Sequence, residues 1–261
     1  MKVHLVSFAD GTPSIVAAGE RLFTQAKNST WFDSVTIWDL NKIKILDQAW
    51  HLKHHNFIKE NRRGFGYWIW KSKIIHLMME IVPKDDLIVY LDAGCEINTQ
   101  GHEKFKDYLE IAKALEIFCF YLDGLNYQII QWTKKELLDK FHIYIEDTLV
   151  FQPQIEAGFL VLRNSENCKK LIKKWSTLST EDNYILSNDI ITCSQSQDFV
   201  ENRHDQAILS LLLYTADFGC TIRNENYFPN AWKKNTHPLH YPIAAFRNLS
   251  GTSRINEMHL I

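Results

Sequence analysis

An α/β fold, with a mostly parallel central sheet flanked by helices, is predicted by three observations. Residues 3–40 read as strand, helix, strand. The run LIVYL (87–91) is apolar at every position, as a strand covered on both faces must be. The remaining chain alternates short apolar runs with longer segments of helical periodicity.

Taken in order, VHLVSFA (3–9) is a first buried strand, closed by Asp10, Gly11 and Pro13. IVAAGERLFTQAKN then carries helical apolar spacing, and SVTIWDL (34–40) supplies a second strand. A β-α-β start implies parallel strands joined by a right-handed crossover. The next stretch is less regular until GYWIWKSKIIHLMMEIVP, where Ile69, Ile74, Leu77, Met78 and Ile81 line one helical face before Pro83 stops the helix. After LIVYLDA, HEKFKDYLEIAKAL forms an amphipathic helix through Phe105, Leu109, Ala112 and Leu115, and EIFCFYL returns to the sheet. Thr133, Lys134, Lys135 and Glu136 before Leu137 match a capping box, in which hydroxyl and carboxylate satisfy opposite N-terminal amides. IEAGFLVLRNS (155–165) places a glycine at a strand entrance, ENCKKLIKKWSTL is the following helix, and RHDQAILSLLLYTA (203–216) is another. Beyond it the chain turns rich in Asn, Pro, His and aromatics. Without repeats or a polar linker, 1–261 reads as one domain, with 221–261 as a segment covering part of a cleft.

Composition narrows the partners. Lys+Arg number 29 against Asp+Glu 31, a net charge of -2, so there is no basic field to attract nucleic acid. Five scattered cysteines, an odd number without zinc-like spacing, indicate free thiols in a reducing compartment, and a cytoplasmic protein is expected. The N-terminal apolar run is too short for a secretion signal, and no apolar run reaches the ~18 residues of a transmembrane span; peripheral membrane contact stays open. Asn28 and Asn248 match the glycosylation acceptor pattern, which has meaning only on secretion.

Chemistry centres on Asp92. At the end of a central parallel strand a side chain points into the crevice where α/β folds bind ligands. There a carboxylate can hold a divalent cation beside a diphosphate, or accept a hydrogen bond from a ribose hydroxyl. The plainer alternative is an ordinary turn opened by aspartate. In a continued strand Asp92, Gly94 and Glu96 would share one face.

VYLDAGCEI resembles the strand and aspartate motif of nucleotide-sugar-dependent glycosyltransferases of the GT-A fold, where hVYLDAD or a close variant is common. IEAGFLVLRNS resembles their NAGhhhhN element, HDQAILSLL resembles their DQ-containing helix start, and the order of the three agrees. The resemblance implies a GT-A-like single domain that binds a nucleotide-diphosphate sugar, with Asp92 beside the ribose and diphosphate. It sets Asp205 and Gln206 toward the sugar, and Glu156, Ala157 and Gly158 along the sugar pocket. The motif is a variant, Asp-Ala-Gly, because the second acid of the family pattern is Gly94 here. Either Glu96 substitutes as a ligand for Mn²⁺ or Mg²⁺, a late histidine such as His240 or His237 helps, or cationic side chains neutralise the diphosphate without metal.

RRGFGYWIWK (62–71) is the second suspect: arginine forks suit phosphate oxygens and flat aromatics suit a base or sugar face. Arg62, Arg63 and Lys71 are the candidates, against a role in which the aromatics are buried and the cations face water. Lys233 and Lys234 are placed to close over a leaving diphosphate, or else belong to a solvated loop. GxSxG, HExxH and GxxxxGK[ST] are all absent. The expected function is transfer of a hexose-like sugar to a hydroxyl on a glycan or related acceptor, with Asp205, then Glu156, as catalytic carboxylate. The EAG and HDQ pieces lean toward retention of configuration. The alternatives are a noncatalytic nucleotide-sugar or carbohydrate-binding protein, and a nucleotidyltransferase using Asp92 and Glu96.

Overall fold

A computed structural model describes residues 1–226 and 240–255. The chain runs β1 (Val3–Phe8), α1 (Pro13–Ser29), β2 (Ser34–Trp38), α2 (Leu40–Leu46), α3 (Gln48–Glu60), α4 (Gly64–Tyr67), α5 (Ile69–Ile81), β3 (Leu87–Leu91) and β4 (Glu96–Ile97). It continues through α6 (His102–Leu115), β5 (Ile117–Tyr121), α7 (Ile129–Trp132), α8 (Lys135–Lys140), β6 (Ile155–Arg163), α9 (Glu166–Thr180), α10 (His204–Tyr214), β7 (Cys220–Arg223) and β8 (Ile243–Ala244).

Six strands form the main sheet in the order β2-β1-β3-β6-β5-β7. All run parallel except β6, which is antiparallel to both β3 and β5. The mostly parallel α/β sheet expected from the sequence is therefore present, with one reversed strand at its centre. Pleating divides β3 between two cores: Ile88 and Tyr90 pack toward α5, α9 and α10, and Leu87, Val89 and Leu91 toward α1 and α6. Every side chain of the strand is buried, each contributing about 1.5–3 kcal/mol of apolar transfer free energy. This is why the run is apolar throughout.

Local chemistry explains the boundaries. Pro13 is the first residue of α1, where a missing N–H costs nothing, and the Thr12 side chain accepts from the Ile15 amide. Ser165 caps α9 in the same way through the Cys168 amide. The stretch read as irregular after β2 is in fact two helices, α2 and α3. Only Leu40 and Ile43 of the first and His54 and Ile58 of the second are buried, too sparse a stripe to show in the sequence. The α5 face also differs, because Lys71, Ser72 and Lys73 are buried along with Ile74 and Ile75 while Ile81 is exposed. On α6 the buried side is Phe105, Tyr108 and Ala112, and Leu115 is exposed.

The expected capping box at Thr133 does not form. The Glu136 carboxylate instead accepts from Thr192 and Gln195 of a distant loop, and the Thr133 hydroxyl accepts from Gln154 Nε2 at 2.8 Å. A capping box does occur one helix earlier, between Gln128 and Gln131 at the start of α7.

Residues 64–68 make an unusual entry to α5. Gly64, Phe65, Gly66, Tyr67 and Trp68 have φ of 57°, 53°, 84°, 53° and 58°, one left-handed turn closed by the Tyr67 and Trp68 amides donating to the Arg63 and Gly64 carbonyls. L-residues resist this conformation by roughly 1–2 kcal/mol each, so two glycines and tight packing must hold it. A Cβ on Gly66 would lie 2.7 Å from Ile58 Cγ1 and 2.8 Å from Ile58 Cα. The turn ends where Trp68 caps α5, three residues before Lys71.

Candidate functional site

Because β6 runs against β3, its first residues meet the last of β3. Leu91 pairs with Phe159, and the Asp92 amide donates to the Gly158 carbonyl at 2.9 Å. Glu156, Ala157 and Gly158 thereby lie beside Asp92, although they are far apart in sequence. Gly158 sits inside β6 rather than at its entrance. A Cβ there would stand 3.0 Å from Glu156 Oε1 and 3.2 Å from Asp92 Oδ2, so the two carboxylates flank this position closely and a side chain on it would push against both.

Lys71, from the first turn of α5, is buried beneath them. Its Nζ lies 2.7 Å from Asp205 Oδ2 and 3.3 Å from Asp92 Oδ1, and donates to the Ala157 carbonyl at 3.1 Å. The Tyr90 ring is 5.3 Å from the ammonium, and the Tyr90 hydroxyl donates to Asp92 Oδ1 at 2.5 Å. Burial by itself pushes the Lys71 pKa down. The carboxylates of Asp205 and Asp92 more than offset this and hold it above the ordinary lysine value. Asp205 stands at the start of α10, where carboxylates are favoured by the helix dipole.

Exposure separates the three acids. The Asp92 side chain is 41% exposed and that of Asp205 only 7%. Burial raises the Asp205 pKa to about 6 against the opposing pull of Lys71. Glu156 is raised further, to about 7, again mainly by burial. Its oxygens accept from Asn224 Nδ2 at 2.7 Å and Asn226 Nδ2 at 3.0 Å, which fixes the carboxyl group. The sequence carried no signal for this asparagine pair beyond an Asn-rich tract. Gln206 lies one residue past Asp205, its Nε2 3.5 Å from Gln154 Oε1, at the edge of a buried set that includes Ser210 and Thr133.

Asp92, Lys71, Glu156, Gly158 and Asp205 are thus brought together; other sequence candidates are not. Arg62 is exposed to water. Arg63 pairs with Glu201 at 2.9 Å and Asp189 at 3.4 Å, tying the left-handed turn to the 189–201 loop. Trp70 stacks on Phe8 at 3.9 Å and is buried, so it serves the core. Lys233, with Lys234 and His237, lies outside the described residues.

The proposed metal set of Asp92, Glu96 and His240 requires correction. The chain turns sharply after β3, the Cys95 amide donating to the Asp92 carbonyl at 2.9 Å, and Glu96 departs into the small sheet formed by β4 and β8. Glu96 is fully buried, and its oxygens accept from Asn248 Nδ2 at 2.7 Å, Ser253 Oγ at 2.7 Å, Arg254 N at 3.0 Å and Ile255 N at 3.2 Å. Such a carboxylate cannot also ligate an ion beside Asp92. His240 is exposed and packs on the Tyr241 ring. Among the described residues no three His, Cys, Asp or Glu side chains gather in a metal-holding arrangement. The same contacts show that Asn248 is buried, so the second acceptor pattern for glycosylation is sealed inside the fold.

Arg247 was not anticipated. Its backbone crosses directly over Gly94, and the neighbouring Asn248 amide donates to the Gly94 carbonyl at 2.9 Å. The Arg203 guanidinium lies 4.1 Å from the Trp132 ring and 3.3 Å from Glu201. The positive charge of Arg247 acts on both Glu156 and Arg203.

No family model matches the sequence, and no curated protein matches it. Among solved structures, the chain is similar to a glycosyltransferase involved in the glycosylation of the major capsid of PBCV-1, at 10% identity over all of both chains with a TM-score of 0.51. It is also similar to mouse xyloside xylosyltransferase 1 in its apo form, at 14% identity over 94% of this chain and 97% of that one, with a TM-score of 0.50. At such identities the likeness is one of fold, and the fold is GT-A-like, as the ordered motifs implied.

Proposed function

We propose that this chain is a glycosyltransferase that moves a hexose-like sugar from a nucleotide-diphosphate sugar to a hydroxyl on a glycan or related acceptor. One observation carries the reading. An exposed carboxylate, Asp92, stands at the carboxyl end of β3 against two buried carboxylates, one of which it shares a buried ammonium with. The fold neighbours, glycosyltransferases both, support it.

In the reaction the bond between the anomeric carbon and the diphosphate oxygen breaks as the acceptor oxygen attacks. Positive charge grows on the sugar and negative charge on the leaving diphosphate. Fixed carboxylates favour the first and cationic side chains the second, without reorganising during the reaction. Asp92, the accessible acid, contacts the donor. Asp205 and Glu156, held by Lys71 and by the asparagine pair, fix the sugar and stabilise its charge if configuration is retained. If it inverts, their raised pKa values suit a group that accepts the acceptor proton near neutral pH, Asp205 first and Glu156 second. A nucleotidyltransferase is disfavoured, because it would need Glu96 as a metal ligand and both Glu96 oxygens are already occupied. The described free cysteines, three of them buried, fit a reducing, cytoplasmic setting, and among the described residues no helix is long and apolar enough to cross a membrane.

A panel of nucleotide sugars, each incubated with and without simple glycan acceptors, tests the reading through release of nucleoside diphosphate and mass analysis of the acceptor. Release that depends on one donor, with a matching mass gain, is expected. Donor binding with no release by any pair would instead make the chain a binding module, and pyrophosphate release would make it a nucleotidyltransferase.

A further inference from the structure

Where the backbone after β3 is fixed, only side-chain torsions decide what Asp92 offers a ligand. The Arg21 guanidinium, itself buried, fixes that backbone. Its Nη2 donates to the carbonyls of Ala93 at 2.8 Å and Cys95 at 3.0 Å, and its Nη1 to those of Asn248 at 2.9 Å and Ser250 at 2.6 Å on the covering segment. The Asp92 amide and carbonyl are engaged as well, with Gly158 and Cys95. The side chain, 41% exposed, would otherwise turn among rotamers and show a ligand either oxygen or both.

Tyr90 removes that choice. It stands two residues back along β3, on the same face as Asp92, and its ring is wholly buried in the core shared with α5, α9 and α10. Its hydroxyl donates to Asp92 Oδ1 at 2.5 Å, and the Lys71 ammonium lies 3.3 Å from the same oxygen. Lys71 alone is a weaker hold, because its contacts with Asp205 at 2.7 Å and the Ala157 carbonyl at 3.1 Å are both shorter. Burial, with the Asp92 charge beside it, holds the Tyr90 pKa well above the ordinary phenol value, so the hydroxyl keeps its proton and remains a donor. Oδ1 thus has both its acceptor sites taken. Oδ2 lies toward Gly158, 3.2 Å from where a Cβ would stand, and among the described residues nothing bonds to it. Asp92 can then meet a donor through one oxygen, and neither chelates an ion nor takes a guanidinium on two oxygens.

Resting on the transferase reading, we infer that Tyr90 is a positioning residue for the reaction: its hydroxyl pins Asp92 Oδ1, so that Oδ2 alone is presented to the nucleotide-sugar donor. Tyr90→Phe isolates the hydroxyl, since it keeps the ring beside Lys71 and the volume of the core. Donor turnover, read as release of nucleoside diphosphate, is measured for this change in the wild-type background and in Asp92→Ala, with circular dichroism confirming the fold of every variant. With Asp92 present, kcat/KM should fall by about tenfold or more, the scale of one hydrogen bond to a charged group. With Asp92 removed, the same change should cost less than about twofold, because the hydroxyl then has no carboxylate to hold. A residue that only filled space would cost the same factor in both backgrounds. Equal factors, or turnover by Tyr90→Phe within about twofold of wild type, overturn the inference and leave the transferase reading standing. A wild-type chain that turns over none of the donors overturns the two together.

Discussion

At the scale of residues, the site is an exercise in keeping charge inside a protein. A buried ammonium between two carboxylates is stable only as a set, since removing one partner of such a pair typically costs about 3–5 kcal/mol through the charge left behind. Asp92 is the member that also faces solvent. Asp92→Asn keeps an oxygen for the Tyr90 hydroxyl but removes the charge, and a loss of about 100-fold or more in donor turnover is expected with the circular dichroism spectrum unchanged. Turnover near the wild-type rate would remove Asp92 from the site. Glu156 gives a pH signature. Its folded pKa, about 7, lies above the ordinary 4.5, so its contribution to stability is complete below about pH 4.5 and is lost as pH rises through about 7. Asp205, raised from 3.8 to about 6, acts with the same sign over a lower window. Urea unfolding between pH 4.5 and 8 should therefore show Glu156→Gln gaining stability relative to wild type as pH rises. A difference that stays flat or falls would mean Glu156 is not held protonated by its surroundings.

At the scale of elements, what the sequence disclosed and what it hid follow one physical divide. Continuous apolar runs such as LIVYL announce buried strands because burial on both faces leaves no choice of residue, and Thr12-Pro13 announces a helix start because its reason is local. The direction of β6 was hidden, since an apolar run reads the same whether its strand is parallel or reversed. The Thr133 box failed for a related reason: Glu136 was captured by donors from residues 192–195, a competition invisible in a four-residue window. Of the site, Asp92, Glu156 and Asp205 could be read from short motifs, and Lys71 from its basic, aromatic setting. Asn224, Asn226 and Arg247 could not, because only the fold gives them neighbours. The left-handed turn at 64–68 likewise has no sequence mark beyond its paired glycines, yet it aims Lys71. Gly66→Ala should cost about 1–3 kcal/mol or more in urea unfolding, because a Cβ would enter both a forbidden φ of 84° and the Ile58 backbone, and turnover should fall with it. Wild-type values for both would show that the turn is not needed.

At the scale of the whole molecule, the site is closed by chain distant in sequence from the strand it covers. The 240–255 segment joins the protein through β8, through Glu96 and above all through Arg21. Arg21→Ala removes four guanidinium contacts at once, and about 3 kcal/mol or more of stability should go with them. Limited proteolysis followed by mass analysis should show new cleavage within 240–255 in this variant while the main sheet resists. Equal protection of that segment in wild type and variant would assign the closure to other contacts.

The Arg21 clamp also orders events in time. Helix α1 emerges from the ribosome early, whereas the carbonyls of Asn248 and Ser250 are made more than two hundred residues later, with separations of 227 and 229. Until then the guanidinium has only half its partners, Gly94 is uncovered and Arg247 has yet to be translated. The nascent chain can therefore lay down its central sheet and its three carboxylates first and gain the cover over Gly94 last, so an unfinished copy would hold the acids in place beneath a crossing that is still open.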